Sequence, residues 1–162
     1  MTSASASELP TVVIALGANL GDRALTLRRA IDALGRVMRV VRVSSVYETE
    51  PVDAPAGSPN FLNMVVAGFT RLEPLALLDE LQRIEASLGR RRGIRNAPRT
   101  IDLDLIAYSS RAMRTKRLTL PHPRYQEREF VMEPLRELEL SAFRSRRPAP
   151  RDASPSASAR LS

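Results

Sequence analysis

Two hydrophobic periods alternate along this 162-residue chain, and their order restricts the fold more than any other feature of the sequence. Thr11-Val-Val-Ile-Ala-Leu16 is a short apolar run stopped by Gly17, the pattern of a buried strand. Asp22 is placed to cap a helix whose apolar stripe is Leu27, Ile31 and Leu34, with Gly35 as its stop. Val37 to Tyr47 is rich in valine that alternates with arginine, which predicts a second strand, and Phe61 to Phe69 predicts a third. Pro74 suits the first turn of a second helix, whose face is Leu77, Leu78, Leu81, Ile84 and Leu88 and which Gly89 closes. Ile101 to Tyr108 predicts a fourth strand, and a short helix around Val131 to Leu138 ends the body.

The order β-α-β-β-α-β predicts an α+β sandwich of the ferredoxin-like kind. Two helices would pack on one face of a four-stranded antiparallel sheet, followed by the short C-terminal helix. Many unrelated activities share that fold, so function has to be argued from particular side chains.

The ends of the chain differ from its body. Residues 1–9 are rich in Ser and Ala without periodicity and read as a flexible tail; residues 10–140 form the domain. Residues 141–162 are rich in Arg, Ser, Pro and Ala and are expected to be disordered, because such a segment buries too little apolar surface to offset its ordering entropy. The start MTSASASELP lacks a basic stretch followed by an apolar one, so no secretory signal is expected. No apolar run approaches the roughly 18 residues that span a bilayer. With no cysteine, disulfides and thiolate chemistry are excluded, and a cytoplasmic protein is expected. The net charge of +7 invites a nucleic-acid reading, yet the segment from Ser141 carries +4 of it, and the body is left with about +4 once Glu8 is counted. That charge suits an anionic small molecule as well as it suits RNA.

The chemistry is concentrated in Gly89-Arg-Arg-Arg-Gly-Ile-Arg-Asn-Ala-Pro-Arg99-Thr-Ile-Asp-Leu-Asp-Leu-Ile106. Side chains two apart on a strand share a face, so Asp102 and Asp104 point the same way, roughly 6–7 Å apart, while Ile101, Leu103 and Leu105 point into the core. Adjacent carboxylates repel unless a cation lies between them. A few solvent-open oxygen ligands suit Mg²⁺, which completes its shell with water and phosphate oxygens. Five arginines, at 90, 91, 92, 95 and 99, precede the pair. Their planar, always-charged forks fit phosphate oxygens. Alone, two alternate acids on a strand are commonly a solvated sheet face, and an arginine run is commonly a surface loop. Together they are the two electrostatic parts that phosphoryl transfer needs. There is no G-x-x-x-x-G-K-[ST], so a nucleotide site here is not a P-loop.

Pro98-Arg-Thr-Ile-Asp-Leu-Asp-Leu105 resembles the signature of the 6-hydroxymethyl-7,8-dihydropterin pyrophosphokinases. The likeness extends, in the family's order, to Ala15-Leu-Gly-Ala-Asn-Leu-Gly21, Ser44-Ser-Val-Tyr-Glu-Thr49, Asn60-Phe-Leu-Asn63 and Leu120-Pro-His-Pro123, with Arg128 and Phe130 following. It implies a ferredoxin-like domain that uses ATP as co-substrate and two Mg²⁺ ions, and transfers pyrophosphate to the pterin hydroxymethyl group with release of AMP in folate biosynthesis. By this resemblance Asp102 and Asp104 ligate both metals. Phe61 and Phe130 would sandwich the pterin and Asn63 would bind its polar edge, with further contacts from Thr49, Glu50 and Val52. Arg90, Arg99 and His122 would bind the triphosphate, with Arg92 joining at closure, so that Arg90, Arg92 and Arg99 act catalytically beside the two acids. Gln82, Glu85, Leu105, Arg117, Thr119 and Arg128 match positions that border the nucleotide. Three sites depart from the pattern: Asn96-Ala97 stands where many members carry an aromatic-glycine pair, Pro123 where some have tyrosine, and Glu50 where some have proline.

An RNA-recognition module on the same fold would need exposed aromatics on its central strands. The chain is 4% aromatic and lacks the run that such modules carry. A catalytically dead scaffold would not need the acids, the asparagine and the arginines together. The expected partners are therefore ATP and the pterin alcohol, without nucleic acid or membrane, and the protein is expected to be a monomer.

Overall fold

The computed structural model describes residues 9–51, 55–89 and 101–138, together with the backbone of residues 159–161. Strand β1 (Thr11–Ala18) and strand β4 (Phe61–Phe69) pair antiparallel along their whole length, from Thr11 opposite Phe69 to Ala18 opposite Leu62. Strand β5 (Asp102–Tyr108) pairs with the other side of β1. Beyond β4 lie β2 (Arg39–Val43) and β3 (Val46–Thr49), which share its outer edge, and β8 (Ala159–Leu161) pairs with β3. The result is a six-stranded antiparallel sheet in the order β5-β1-β4-β3-β8, with β2 also on β4. Strands β6 (Met113–Arg114) and β7 (Thr119–Leu120) form a separate small ladder.

The first two helices fall where the periodicity places them. Helix α1 (Arg23–Leu34) starts at Asp22, whose Oδ1 accepts the Leu25 N–H at 3.1 Å and so satisfies one of the unpaired donors of the first turn. Helix α2 (Pro74–Ser87) has Pro74 in its first turn, where a missing N–H costs nothing, and Gly89 just beyond it takes φ +112°. Their apolar stripes bury Leu27, Ala30 and Leu34, and Leu77, Leu81 and Ile84, against the face of the sheet formed by Val12, Ile14, Leu16, Leu103 and Leu105. Each leucine buried in this way stabilises the fold by roughly 1.5–3 kcal/mol. Helix α3 (Glu129–Leu138) lies on the opposite face, where Val131, Leu135 and Leu138 pack on Val13, Ala15, Val65, Ala67 and Ile106.

The sheet departs from the sequence expectation in three respects. The single strand expected from Val37 to Tyr47 is two strands. Between the pairs Val43–Val66 and Tyr47–Asn63 three residues on one side lie opposite two on the other. Long-range polar contacts hold this break: the Ser44 N–H donates to the Val65 carbonyl at 2.9 Å, Ser44 Oγ accepts the Val65 N–H at 2.9 Å, and Glu137 Oε2 on α3 accepts the Ser45 N–H. The four-stranded sheet becomes six-stranded because of that division and because Ala159–Leu161, within the segment read as a tail, adds an edge strand. Finally, β5 does not alternate throughout. Val13 faces Ala107 and Ile14 faces Leu105, so Ile106 is an extra residue. This bulge lets both Ile106 and Ala107 pack on the α3 side while Leu105 and Tyr108 pack on the α1/α2 side.

Candidate active site

On the α3 face of the sheet, cross-strand pairing brings four residues into one row: Tyr47 faces Asn63, Asn63 faces Gly17, and Gly17 faces Asp102. Asp104 follows one pleat along, opposite Ala15. The pattern Asp102-Leu-Asp104 on β5 therefore does what the alternation predicts. Leu103 and Leu105 are buried in the α1/α2 core, and both acids are half-buried on the other face. The row forms one side of a cavity of about 680 Å³.

One wall of this cavity carries the aromatic and amide groups. Phe61 and Asn63 sit two apart on β4, and Phe130, in the first turn of α3, lines the cavity with them. Asn63 is only 5% exposed, and its Nδ2 donates to Thr49 Oγ1 at 2.5 Å, which turns the amide oxygen toward Gly17. A Cβ at Gly17 would lie 2.9 Å from Asn63 Oδ1 and 3.6 Å from Phe61 Cδ1, so glycine is what keeps this floor open. Thr49, Glu50 and Pro51 close the end of the cavity beyond β3. Arg23 supports that end from α1: its Nη1 donates to Glu48 Oε1 at 3.1 Å and to the Asn60 carbonyl at 2.8 Å, next to Phe61.

The other wall carries the charge. Asp102 and Asp104 face Arg128, whose Nη1 lies 3.9 Å from Asp104 Oδ2 and whose guanidinium carbon is 5.6 Å from the centre of the Phe130 ring. Three further charged residues line the rim without having been singled out in the sequence: Arg124, Glu127 and Glu129. Arg124 pairs with Glu127 at 3.2 Å, and Glu129 pairs with Arg136 at 3.3 Å. Their signal was the charged run Arg124-Tyr-Gln-Glu-Arg-Glu129 directly after Leu120-Pro-His-Pro123.

Of the expected site residues, the structure brings Thr49, Glu50, Phe61, Asn63, Asp102, Asp104, Arg128 and Phe130 to this one cavity. Val52, Arg90, Arg92 and Arg99 lie outside the described residues. The remaining expected residues lie elsewhere. Arg117 pairs with Asp79 on α2, and that cation holds the exposed Asp79 carboxyl below its ordinary value. Thr119 sits in β7 opposite Arg114, and Gln82 is half-buried on α2. Leu105, expected beside the nucleotide, has its side chain packed in the α1/α2 core at 3% exposure, because its place in the alternation is opposite to that of the acids. Glu85 is buried on α2, and its Oε2 accepts the Leu103 N–H at 3.0 Å.

His122 is tied to β5 through its backbone, its N–H donating to the Ile106 carbonyl at 2.8 Å. Burial lowers its imidazole pKa below the ordinary value; Asp104 pulls it up and Arg128 pushes it down. The neutral ring is therefore favoured at pH 7.

Asp102 and Asp104 are the candidate metal ligands. Among the described residues no group of three or more His, Cys, Asp or Glu side chains is placed to enclose an ion. Two open carboxylates fit a cation that keeps water and takes its other ligands from phosphate, as Mg²⁺ does, rather than an ion held in an all-protein cage. None of the helices among the described residues is long and apolar enough to cross a membrane.

The site of this α+β domain thus sets paired acids and an arginine against an aromatic slot. Residues 13–140 match the model of the family described as 7,8-dihydro-6-hydroxymethylpterin-pyrophosphokinase (HPPK). The chain is 46% identical over 127 residues to the 2-amino-4-hydroxy-6-hydroxymethyldihydropteridine pyrophosphokinase of Bacillus subtilis, covering 77% of this chain and 75% of that protein. It is 43% identical over 129 residues to the protein of the same name from Pseudomonas aeruginosa, covering 78% and 79%. It is also 44% identical over 128 residues to the mitochondrial folate synthesis bifunctional protein of Pisum sativum, of which it spans 25%. A crystal structure of Plasmodium falciparum HPPK-DHPS shares the fold at TM-score 0.65 and 13% identity, with 80% of this chain and 40% of that one covered. The chain therefore belongs to the 7,8-dihydro-6-hydroxymethylpterin-pyrophosphokinase family.

Proposed function

We propose that this chain, a pyrophosphokinase of folate biosynthesis acting on hydroxymethyldihydropterin, uses ATP as donor and two Mg²⁺ ions held by Asp102 and Asp104, and releases AMP. The observation that carries the reading is the shared sheet face, on which the acids of β5 stand across Gly17 from Asn63 and Phe61.

The pterin ring lies between Phe61 and Phe130, a water-poor slot suited to offset stacking. Asn63 accepts from the ring's polar edge through Oδ1, which the bond of its Nδ2 to Thr49 turns toward Gly17. The hydroxymethyl oxygen then points toward Asp102 and Asp104, from which the triphosphate is held. Bound magnesium supplies charge neutralisation of the phosphates. The chain's own part is to place the two acids, to keep the ring fixed at attack distance and to gather arginines around the phosphates. The other acids that line the cavity are Glu50, Glu127 and Glu129, and the last two are each engaged with an arginine. Positioning and electrostatics supply most of the rate, as they do in phosphoryl transfer generally. Arg90, Arg92 and Arg99 belong to the phosphate side of this proposal, and Arg92 joins on closure of the 89–98 loop. The segments 1–9 and 141–162 flank the catalytic unit of residues 10–140, which acts as a monomer in the cytoplasm.

The test is to incubate the protein with ATP, Mg²⁺ and the reduced pterin alcohol and separate the nucleotides. AMP together with pterin diphosphate is expected. ADP, or no nucleotide cleavage, would remove the reading.

A further inference from the structure

β5 is an edge strand of the main sheet, with β1 on one side. Two of its backbone groups are nonetheless engaged from outside the sheet. The Leu103 N–H, between the two acids, is accepted by Glu85 Oε2 at 3.0 Å in a buried bond, and the Ile106 carbonyl accepts the His122 N–H at 2.8 Å. Glu85 is 4% exposed on the inner side of α2, at the end of the helical face that carries Leu77, Leu81 and Ile84.

A buried carboxylate is costly unless its oxygens are hydrogen-bonded, and a bond from N–H to carboxylate is among the stronger ones available. A leucine at this helical position would pack with less cost, so the charge calls for a reason in what it holds. It holds the peptide plane joining Asp102 to Leu103, and with it the directions in which the Asp102 and Asp104 side chains leave the strand. Two carboxylates on neighbouring positions of one face repel each other. An edge strand without an outer partner would relax that repulsion by twisting.

We infer that Glu85 is a positioning residue for the acid pair. It pins the Leu103 N–H from outside the sheet and keeps Asp102 and Asp104 convergent before any cation arrives, so it acts on the metal site through β5 rather than by touching the nucleotide. The inference rests on the proposed role of Asp102 and Asp104 as magnesium ligands.

The experiment measures Mn²⁺ binding by electron paramagnetic resonance to the full chain with α,β-methylene-ATP, and Leu103 amide exchange by NMR, in the parent, Asp104→Asn, Glu85→Ala and Glu85→Gln. Glu85→Ala is expected to bind Mn²⁺ about tenfold more weakly, the usual scale for losing an outer support of a metal ligand, and to expose the Leu103 amide to faster exchange. Glu85→Gln keeps an acceptor oxygen and is expected to stay within about threefold of the parent in both measurements. Unchanged Mn²⁺ affinity in Glu85→Ala, with Asp104→Asn clearly weakened, overturns the inference and leaves the metal reading standing. A parent and Asp104→Asn that bind Mn²⁺ equally overturn the metal reading itself. Should Glu85→Ala not fold, Glu85→Gln decides alone. A tenfold loss there shows that the negative charge, and not the accepted hydrogen bond, is what the site uses, which also overturns the inference.

Discussion

The aromatic wall and the acid wall of this site face each other across Gly17, and they are built from opposite materials. Phe61, Asn63 and Gly17 stand on β4 and β1, strands paired on both sides, and the Asn63 side chain is buried with its amide held by Thr49. Asp102 and Asp104 stand on β5 at the sheet's edge, half-exposed, with support reaching them from α2 and from the segment that leads into His122. On the proposed function, the difference follows from the ligands. A flat uncharged ring brings no strong field of its own, so its recognition depends on a surface already fixed. A triphosphate brings charge and cations with it, so the acids can wait where water screens their repulsion.

If the walls are separable in this way, substitutions on each should leave the other's ligand alone. The largest effect is expected for Asp104→Asn: kcat falls by at least about 100-fold, the scale on which single charge-stabilising groups act, while pterin affinity measured by fluorescence stays within about threefold. Loss of pterin binding in that variant would mean that the walls are not independent. Phe130→Ala should show the reverse pattern. Losing one stacking face costs about 1–3 kcal/mol, or roughly 30-fold in pterin affinity, with Mn²⁺ binding unaffected. Gly17→Ala should be milder and more local. The added methyl would lie 2.9 Å from Asn63 Oδ1, so the amide must shift or lose its ring contact. Roughly tenfold weaker pterin binding at nearly unchanged thermal stability is expected. A parent-like pterin affinity would show that Asn63 Oδ1 is not the acceptor.

The strand that carries most of the aromatic wall was fully legible in the sequence. Phe61–Phe69 is predicted to the residue, because an apolar strand bounded by a turn and a threonine carries its whole signal locally. The facing of Asp102 and Asp104 was equally plain, since alternation fixes it. What was not legible depends on contacts far apart in sequence. The break at Ser44-Ser45 is held by Val65 and by Glu137, which lies 92 positions from Ser45. The bulge at Ile106 serves two cores at once, which no single-strand pattern can show. Glu85 aligned with a nucleotide border by family resemblance, whereas its carboxylate reaches the backbone of β5; helical periodicity alone reads it only as a polar interruption of an apolar face. Likewise β6, β7 and β8 are two or three residues long, too short for any period to announce them.

The smallest expected effect tests where the two walls meet. His122 is the chain's one histidine, so a single imidazole signal in the NMR spectrum belongs to it. In the metal-free protein its midpoint should lie below the ordinary value of about 6.5. The unfolded chain then takes up this proton at a higher pH than the folded chain does. The contribution to stability is therefore complete above pH 6.5 and is lost as pH falls through the folded value, below which it changes no further. Asp104 raises the midpoint and Arg128 lowers it, so Asp104→Asn should move it down and Arg128→Gln should move it up. Arg128 also lies over the Phe130 ring, which makes its variant the sharper probe. An upward shift shows that the guanidinium reaches the field of the acid wall while it covers the aromatic one. No shift in either variant would separate His122 from both.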